Sequence, residues 1–197
     1  MPLQTKFDFY EKKLKKILSR ERFEHSLRVV ETALKYASGL KIDNDKLILS
    51  ALIHDRAKEL PEDKLAKISV ENNRPLELAE KINPVLLHGP VGAIIIKNEW
   101  EIFDREILRA VKCHTTACPE MGMIEKIVFL ADCLEPNRDY PEANELREIA
   151  REDIELAFRK TIDYTIWHVV KKGWALHPST VKARNHILYH DKARGQR

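Results

Sequence analysis

Apolar residues recur at helical spacing along almost the whole chain, and no run alternates with the period of two that marks a β-strand. Residues 21–38 show the pattern well, because one narrow face is polar and the rest of the circumference is largely apolar. A helix of that kind is predicted to be buried on most sides. His25 falls at the edge of its apolar arc, on the side of Val29 and Tyr36.

The same periodicity predicts helices over most of the remaining chain, at about 6–19, 44–60, 62–70, 75–82, 85–100, 104–114, 123–135, 142–150 and 152–172, with a last one after Pro178. Pro61 is expected to end the helix at 44–60. The helix at 85–100 is expected to be interrupted at Gly89-Pro90, beside His88. The fold class is therefore predicted as all-α, and without an internal linker residues 1–197 are expected to form a single domain.

Composition narrows the class of protein. The chain has 197 residues, 44% hydrophobic and 33% charged, which is typical of a globular protein. No stretch approaches the ~20 apolar residues of a membrane-spanning helix, and the N-terminus lacks the apolar core of a signal peptide, so a cytoplasmic location is expected. A net charge of +3 is too mild to indicate nucleic-acid binding.

The three cysteines, Cys113, Cys118 and Cys133, form no CxxC pair. We therefore expect neither a disulfide framework nor a zinc ribbon. Cys113 and Cys133 are expected to be small core residues, since each is turned about 100° away from its histidine or aspartate neighbour on a helix.

Candidate chemistry begins with two aspartates in apolar surroundings. Asp55 interrupts the run LILSALIHD, and Asp132 interrupts IVFLADCL. Because a buried carboxylate costs several kcal/mol without a partner, and neither run contains an inward-facing cation, a metal bound jointly with nearby imidazoles is a natural explanation. The histidines in comparable settings are His25, His54, His88 and His114.

The adjacency of His54 and Asp55 predicts a particular arrangement, because an aspartate has two oxygens and can bridge two cations. A first ion is expected at His25, His54, Asp55 and Asp132, and a second at Asp55, His88 and His114. Whether the last two histidines hold an ion or only contact phosphate stays open. Imidazole and carboxylate ligands suit divalent Fe, Mn, Mg or Zn in a catalytic site.

The order His25, His54-Asp55, Asp132 resembles the HD-domain superfamily of metal-dependent phosphohydrolases. The stretches RFEHSLRVVETALKYA, ALIHDRAKELP, LLHGPVGA, CHTT, EKIVFLADCLEPNRDYPE and HPSTVKARN are similar to its YqeK family over about residues 22–186. The resemblance implies a helical HD bundle with additional N- and C-terminal helices. Its metal-binding core would span about 20–136, and its C-terminal helices about 142–190.

The resemblance also implies a two-metal centre, with iron expected first, and symmetrical hydrolysis of diadenosine tetraphosphate to two ADP by attack of a metal-bound hydroxide. The implied metal ligands are His25, His54, Asp55, His88, His114 and Asp132. Arg56 departs from the family's pattern, which has an apolar or aromatic residue there. The loop ACPEMG is also a variant of a more glycine-rich segment.

A polyphosphate substrate needs cations along its path. Lys58 lies one helical turn past His54, and Arg138 follows the helix of Asp132, so both are expected to act in catalysis with Asp55 and to bind substrate. His177, Arg184 and Asn185 are further predicted substrate contacts.

Other functions remain open at this stage. One is a nucleotidase acting on (d)NMP or (d)NDP, and another is a di-iron oxygenase of the same superfamily. A third is a non-catalytic binding module that uses the basic N-terminal helix. The expected partner is a dinucleoside polyphosphate or another nucleotide, with no nucleic acid and no membrane, and a homodimer is compatible with the sequence.

Overall fold

Helices form all the regular structure in the part of the chain that the computed structural model describes, residues 3–193 and Gly195. In chain order they are α1 (Leu3–Leu14), α2 (Arg20–Tyr36), α3 (Asn44–Ile53), α4 (Glu62–Glu71), α5 (Leu78–Ile82), a 3₁₀ turn (Pro84–Leu87), α6 (His88–Glu99), α7 (Arg105–Cys113), α8 (Met123–Leu134), α9 (Ala143–Glu152), α10 (Ile154–Lys171) and α11 (Pro178–Ala193). The all-α prediction is confirmed. None of the described helices is long and apolar enough to span a membrane.

The centre of the fold is built by α2, α3, α6, α7 and α8, which pack on one another. Helix α8 is buried on nearly every side because its sequence is almost entirely apolar, and Ile127, Phe129 and Leu130 are each at most 1% exposed. Every residue predicted to hold a metal lies on one of these five helices or directly after one. The core therefore determines where those side chains meet.

Helix α3 is shorter than the periodicity predicts, so the expected helix over 44–60 is wrong in its second half. It ends at Ile53, and the chain continues to Leu60 in turns closed by bonds such as Lys58 N–H to the Asp55 carbonyl oxygen. The sequence there favours a helix, but the turns direct neighbouring side chains differently. His54 and Asp55 consequently lie at a helix end and not within a helix.

The expected interruption at Gly89-Pro90 is displaced. The 3₁₀ turn ends at Leu87 and α6 begins at His88, so Pro90 occupies the first turn of α6. Proline is tolerated there because the first amide groups of a helix have no intrahelical acceptor. The interruption of the helical structure therefore falls directly before His88, between the 3₁₀ turn and α6.

The terminal helices pack on the outside of this centre. One hydrophobic cluster extends from Tyr10 of α1 to Ala183 of α11. Helix α10 contacts α8 through an edge-to-face pair of Phe129 and Phe158, with ring centroids 5.4 Å apart. The additional N- and C-terminal helices expected from the sequence are therefore present. A second, smaller hydrophobic cluster contains Leu65 and Leu87, and the single domain stays a prediction.

Candidate metal centre

Six side chains predicted as metal ligands converge in the core. They come from α2 (His25), the turn after α3 (His54 and Asp55), the first residue of α6 (His88), the residue after α7 (His114) and α8 (Asp132). All but Asp132 are fully buried, and the Asp132 side chain is only 16% exposed. The structure therefore brings together every predicted ligand.

Asp55 lies between two groups of imidazoles, with one carboxylate oxygen toward each. Its Oδ2 is 3.7 Å from Nε2 of His54. Its Oδ1 is 3.3 Å from Nε2 of His88 and 3.4 Å from Nε2 of His114. Asp55 therefore contacts both groups of imidazoles, one with each carboxylate oxygen.

Asp132 completes the group on the His54 side. Its Oδ1 is 3.0 Å from Nε2 of His25 and 3.9 Å from Nε2 of His54. Three sets of three ligand atoms lie within 4.8 Å of one another, namely His25, His54, Asp55; His54, His114, Asp132; and Asp55, His88, His114. Such sets have the donor chemistry and the spacing of divalent-metal sites.

Unpartnered atoms in the cluster fit a cation. His25 Nε2, His54 Nε2 and Asp55 Oδ1 are buried and make no hydrogen bond, although an oxygen or nitrogen of another ligand lies close to each. Buried polar atoms are almost always hydrogen-bonded in folded proteins. Bound cations would give all three atoms a partner.

The hydrogen bonds of His88 and His114 through Nδ1 also indicate a metal site. Nδ1 of His88 is 2.5 Å from the Val85 carbonyl oxygen, and Nδ1 of His114 is 2.7 Å from that of Val111. Each Nδ1 therefore carries the proton and donates it, which leaves Nε2 bare in the neutral ring. The two Nε2 atoms lie 2.9 Å apart, a repulsive contact that a shared cation would relieve.

The close approach of His88 and His114 depends on a glycine between α6 and α7. A Cβ atom on Gly89 would lie 2.9 Å from the Lys112 carbonyl oxygen and 3.2 Å from that of Val111. Any other residue would push the two helices apart. Gly89 therefore allows the backbone contact that brings the two imidazoles together.

Protonation favours metal binding at this site. Burial lowers the pKa of His54 to about 4, so its ring is neutral at neutral pH. Burial alone would raise the pKa of Asp55 and Asp132, but the neighbouring imidazoles hold both values well below the usual range for aspartate. Neutral imidazole and ionised carboxylate are the forms that bind metals.

A cavity of about 590 Å³ opens beside the cluster. Its lining comprises Ser19, Glu21, Arg22, Glu24, His25, Arg28, Asp55, Lys58, Glu59, Glu135, Asn137 and Arg138. The volume falls within the range typical of small-molecule sites. Four cationic side chains and five carboxylates face this cavity, and Arg22 pairs with Glu59 and Arg28 with Glu135. The net charge of the lining therefore does not indicate the ligand, and only the cations closest to the cluster bear on it.

Two of those cations adjoin the ligands directly. Nζ of Lys58 lies 3.1 Å from Nε2 of His88 and 4.0 Å from Oδ1 of Asp55. On the other side, Arg138 donates from Nη2 to Oδ1 of Asp132 at 2.6 Å. The structure thus places one predicted substrate-binding cation next to each group of ligands.

The other three predicted substrate contacts lie elsewhere among the described residues. His177 contacts Glu80, with Nε2 to Oε1 at 3.3 Å. Arg184 forms an ion pair with Asp163, and it lines a groove between α10 and α11 together with Asn185. None of the three lines the cavity beside the ligand cluster, so their contact with substrate stays a prediction.

Two residues at the centre were not singled out from the sequence. Thr115 Oγ1 lies 3.0 Å from Nε2 of His88 and 3.1 Å from Nε2 of His114. Glu135 Oε1 lies 3.2 Å from Nδ1 of His25. Thr115 could have been found from its position next to His114, whereas the contact of Glu135 spans 110 positions in the chain.

The prediction that the cysteines form no disulfide is wrong for one pair. Cys113 and Cys118 are joined, with Cα atoms 5.6 Å apart. The chain reverses direction after α7, where Ala117 has a φ of 54°, and this turn brings together two cysteines that lack CxxC spacing. Cys133 is free, and burial raises the pKa of its thiol to about 12, consistent with a packed side chain.

Arg56, which departs from the family's pattern, points away from the ligands. Its guanidinium lies over the ring of Trp100, 5.4 Å from the centroid, and its Nη2 donates to Glu99 at 3.3 Å. The arginine therefore replaces an apolar residue by packing on an aromatic ring.

Fold and cluster together define an all-helical metal-dependent hydrolase, and comparison with known proteins agrees. The HD domain family matches residues 22–137. A crystal structure from Clostridium acetobutylicum, described as a predicted HD superfamily hydrolase involved in NAD metabolism, superimposes with a TM-score of 0.89 and 36% identity, covering 93% of this chain and 97% of that one. The chain belongs to the HD-domain family, whose members depend on divalent metals.

Two curated relatives carry a more specific name. Proteins of Bacillus subtilis (strain 168) and Staphylococcus aureus (strain NCTC 8325 / PS 47) are both named symmetrical bis(5'-nucleosyl)-tetraphosphatase. Each is 33% identical to this chain. The match covers 89% of this chain and 94% of the Bacillus protein. For the Staphylococcus protein it covers 90% of this chain and 92% of that protein. The family predicted from the motifs is therefore confirmed.

Proposed function

We propose that this protein hydrolyses diadenosine tetraphosphate symmetrically to two ADP, using two divalent metal ions held by the six-residue cluster. The substrate class is supported by the curated relatives, which are named for this activity. The metal-dependent chemistry is supported by the geometry of the centre. The expected ions are iron first, with manganese, magnesium or zinc as alternatives.

The observation that carries the proposal is the position of Asp55. Its two oxygens face different groups of imidazoles, Oδ2 toward His54 and Oδ1 toward His88 and His114. A carboxylate shared in this way supports two adjacent ions. A pair of divalent ions acidifies water and polarises phosphoryl oxygens, which is the chemistry that phosphoanhydride hydrolysis needs.

The chain's own residues would then bind and orient the polyphosphate. Lys58 adjoins the ligands His88 and Asp55, and Arg138 adjoins Asp132. A cation at each group of ligands can bind phosphates on both sides of the scissile bond. This arrangement supports cleavage at the centre of a symmetrical substrate.

Product analysis tests the proposal. Protein loaded with iron or manganese is incubated with diadenosine tetraphosphate, and nucleotides are separated by ion-exchange chromatography. We expect ADP alone. The His54→Ala variant should lose both metal and activity, whereas His168→Ala, which replaces a histidine of α10 outside the cluster, should keep both.

Three results would contradict the proposal in different ways. Equal amounts of ATP and AMP as products would exclude symmetrical cleavage but would still show that the protein is a hydrolase. Faster turnover of (d)NMP or (d)NDP than of the dinucleotide would indicate a nucleotidase. Oxygen consumption with an organic substrate, without phosphate chemistry, would indicate an oxygenase.

The cytoplasmic location, the homodimer and the lack of nucleic-acid binding stay predictions from the sequence.

A further inference from the structure

Three of the four histidines at the centre are oriented by the same kind of hydrogen bond to a backbone carbonyl oxygen. His54, His88 and His114 each stand at the end of a helix or 3₁₀ turn, and Nδ1 of each meets the carbonyl oxygen three residues earlier. The distances are 2.7, 2.5 and 2.7 Å. Carbonyl groups at the end of a helix or turn have few intrahelical amide partners and two lone pairs each, so they can accept the ring proton. The Val85 carbonyl oxygen does so while also accepting the His88 backbone N–H.

His25 lies inside α2 and does not make this contact with a backbone carbonyl oxygen. The carbonyl oxygen three residues earlier, that of Arg22, accepts a bond from Ser26 Oγ at 3.2 Å. Nδ1 of His25 is directed instead at Oε1 of Glu135, 3.2 Å away. His25 is thus the one of these four rings that depends on a distant side chain.

Glu135 is itself rigidly held. It follows α8 directly, and the residue is 2% exposed. Its Oε2 accepts hydrogen bonds from Arg28 Nε at 2.8 Å and from the Asn137 backbone N–H at 2.9 Å. These two donors hold Oε2, which leaves Oε1 directed at Nδ1 of His25.

We infer that Glu135 is a positioning residue of the metal centre, which keeps the His25 ring protonated on Nδ1 and turns its Nε2 toward Asp132 and the ion. An ionised carboxylate also accepts more strongly than a carbonyl group, so it makes His25 a better ligand. Arg28 supports this role by fixing the carboxylate. The inference rests on the metal-binding part of the proposed function.

The helix that precedes Glu135 offers a matched control. Glu125 of α8 is 3% exposed and pairs with Arg109, whose Nε and Nη2 donate at 2.9 and 3.1 Å. It contacts no histidine of the centre. Replacing either glutamate removes a buried carboxylate bonded to an arginine, but only Glu135 contacts a histidine of the centre.

The first measurement uses metal-free protein. Long-range ¹H–¹⁵N spectra at mildly alkaline pH report which nitrogen of His25 carries the proton. Oδ1 of Asp132 lies 3.0 Å from Nε2 of His25 and competes for the ring proton. We therefore expect a larger share of the proton on Nδ1 in the wild type and in Glu125→Gln than in Glu135→Ala, where only the acceptor at Nε2 remains. An unchanged His25 signal in Glu135→Ala would overturn the inference.

The second measurement is the dissociation constant for Mn²⁺, obtained by competition with a chromogenic chelator. Loss of a group that orients a metal ligand typically weakens binding roughly 10- to 100-fold, and we expect this for Glu135→Ala. Glu135→Gln keeps an acceptor oxygen and its shape, so it should fold and show a smaller loss. Glu125→Gln should bind Mn²⁺ as the wild type does.

The two measurements separate the possible failures. If the wild type binds no Mn²⁺ and shows no turnover, the proposed function fails, while the tautomer in metal-free protein still decides the role of Glu135. If the wild type binds Mn²⁺ and all variants share its dissociation constant, the metal site stands and the inference about Glu135 is wrong.

Discussion

Two buried clusters of polar side chains in this protein differ in how their atoms are satisfied. At the metal centre, His25 Nε2, His54 Nε2 and Asp55 Oδ1 converge without hydrogen bonds. Around Glu80, by contrast, Arg74, the Glu77 amide and His177 all donate to the carboxylate. Both clusters combine imidazole with carboxylate, so burial and residue type do not separate them. The two clusters differ instead in their unpartnered atoms, which converge only at the first.

The second cluster joins the C-terminal region to the rest of the fold. His177, just before α11, donates to Glu80 of α5, and its Nδ1 accepts from the Ser179 amide at 3.1 Å. Thr180 Oγ1 donates to the Thr116 carbonyl oxygen at 2.8 Å, close to His114. We call the residues Arg74, Glu80 and His177 the tether. Its complete hydrogen bonding indicates a structural role.

The largest contrast is expected from His54→Ala. Because metal ions contribute several kcal/mol to phosphoryl-transfer transition states, turnover should fall about 1,000-fold or more. The metal-free protein should also lose some stability, since the change removes the hydrogen bond from Nδ1 to the Ala51 carbonyl oxygen and leaves a cavity where a fully buried ring stood. Steady-state kinetics and urea unfolding check the two halves. Retained turnover would show that His54 is not part of the centre.

Lys58→Ala should have the next largest effect. Removing one positioned donor from a transition state typically costs on the order of 100-fold in turnover, and the metal content should not change. Lys46, which pairs with Asp104 and Glu106 far from the cavity, gives a matched control in Lys46→Ala. An equal loss in both variants would mean that general charge, and not position, is responsible.

His177→Ala should affect stability more than catalysis. The change leaves part of the Glu80 carboxylate without a donor, which typically costs about 1–3 kcal/mol of unfolding free energy. Urea unfolding measures this loss, and KM for diadenosine tetraphosphate should stay close to that of the wild type. A raised KM without loss of stability would instead favour the substrate contact predicted from the sequence.

The smallest effect concerns pH. Burial alone would raise the pKa of Glu80, but hydrogen bonds from His177, Arg74 and the Glu77 amide lower it from 4.5 to about 2. A lowered carboxylate pKa stabilises the fold above the pKa of the unfolded chain, and this stabilisation is lost as the pH falls toward the folded value. Between pH 4.5 and about 2, Glu80→Gln should therefore show a weaker loss of stability than the wild type.

The comparison also explains what could be predicted from the sequence. The helices follow from apolar periodicity, and the six ligands from polar residues in apolar runs. Both signals are local. The end of α3 at Ile53 was missed because residues 54–60 favour a helix by themselves, and only the observed turns show that the chain leaves it.

Contacts between distant segments could not be predicted. Glu135 resembles any acidic residue after a helix until α2 and α8 pack side by side and bring it to His25. The Cys113–Cys118 bond depends on the reversal at Ala117. The ion pair of Arg184 with Asp163 of the neighbouring helix likewise joins distant segments, and the substrate contact of Arg184 stays a prediction.

The most direct test of the central claim is the number of metal ions bound per chain. Protein purified with iron or manganese is measured by elemental analysis as wild type, as His88→Ala and as the His168→Ala control. We expect two ions per chain in the wild type and the control, and one ion per chain in His88→Ala. A wild type without bound metal, or a His88→Ala variant that keeps the full complement, would contradict the assignment of the cluster as a two-metal centre.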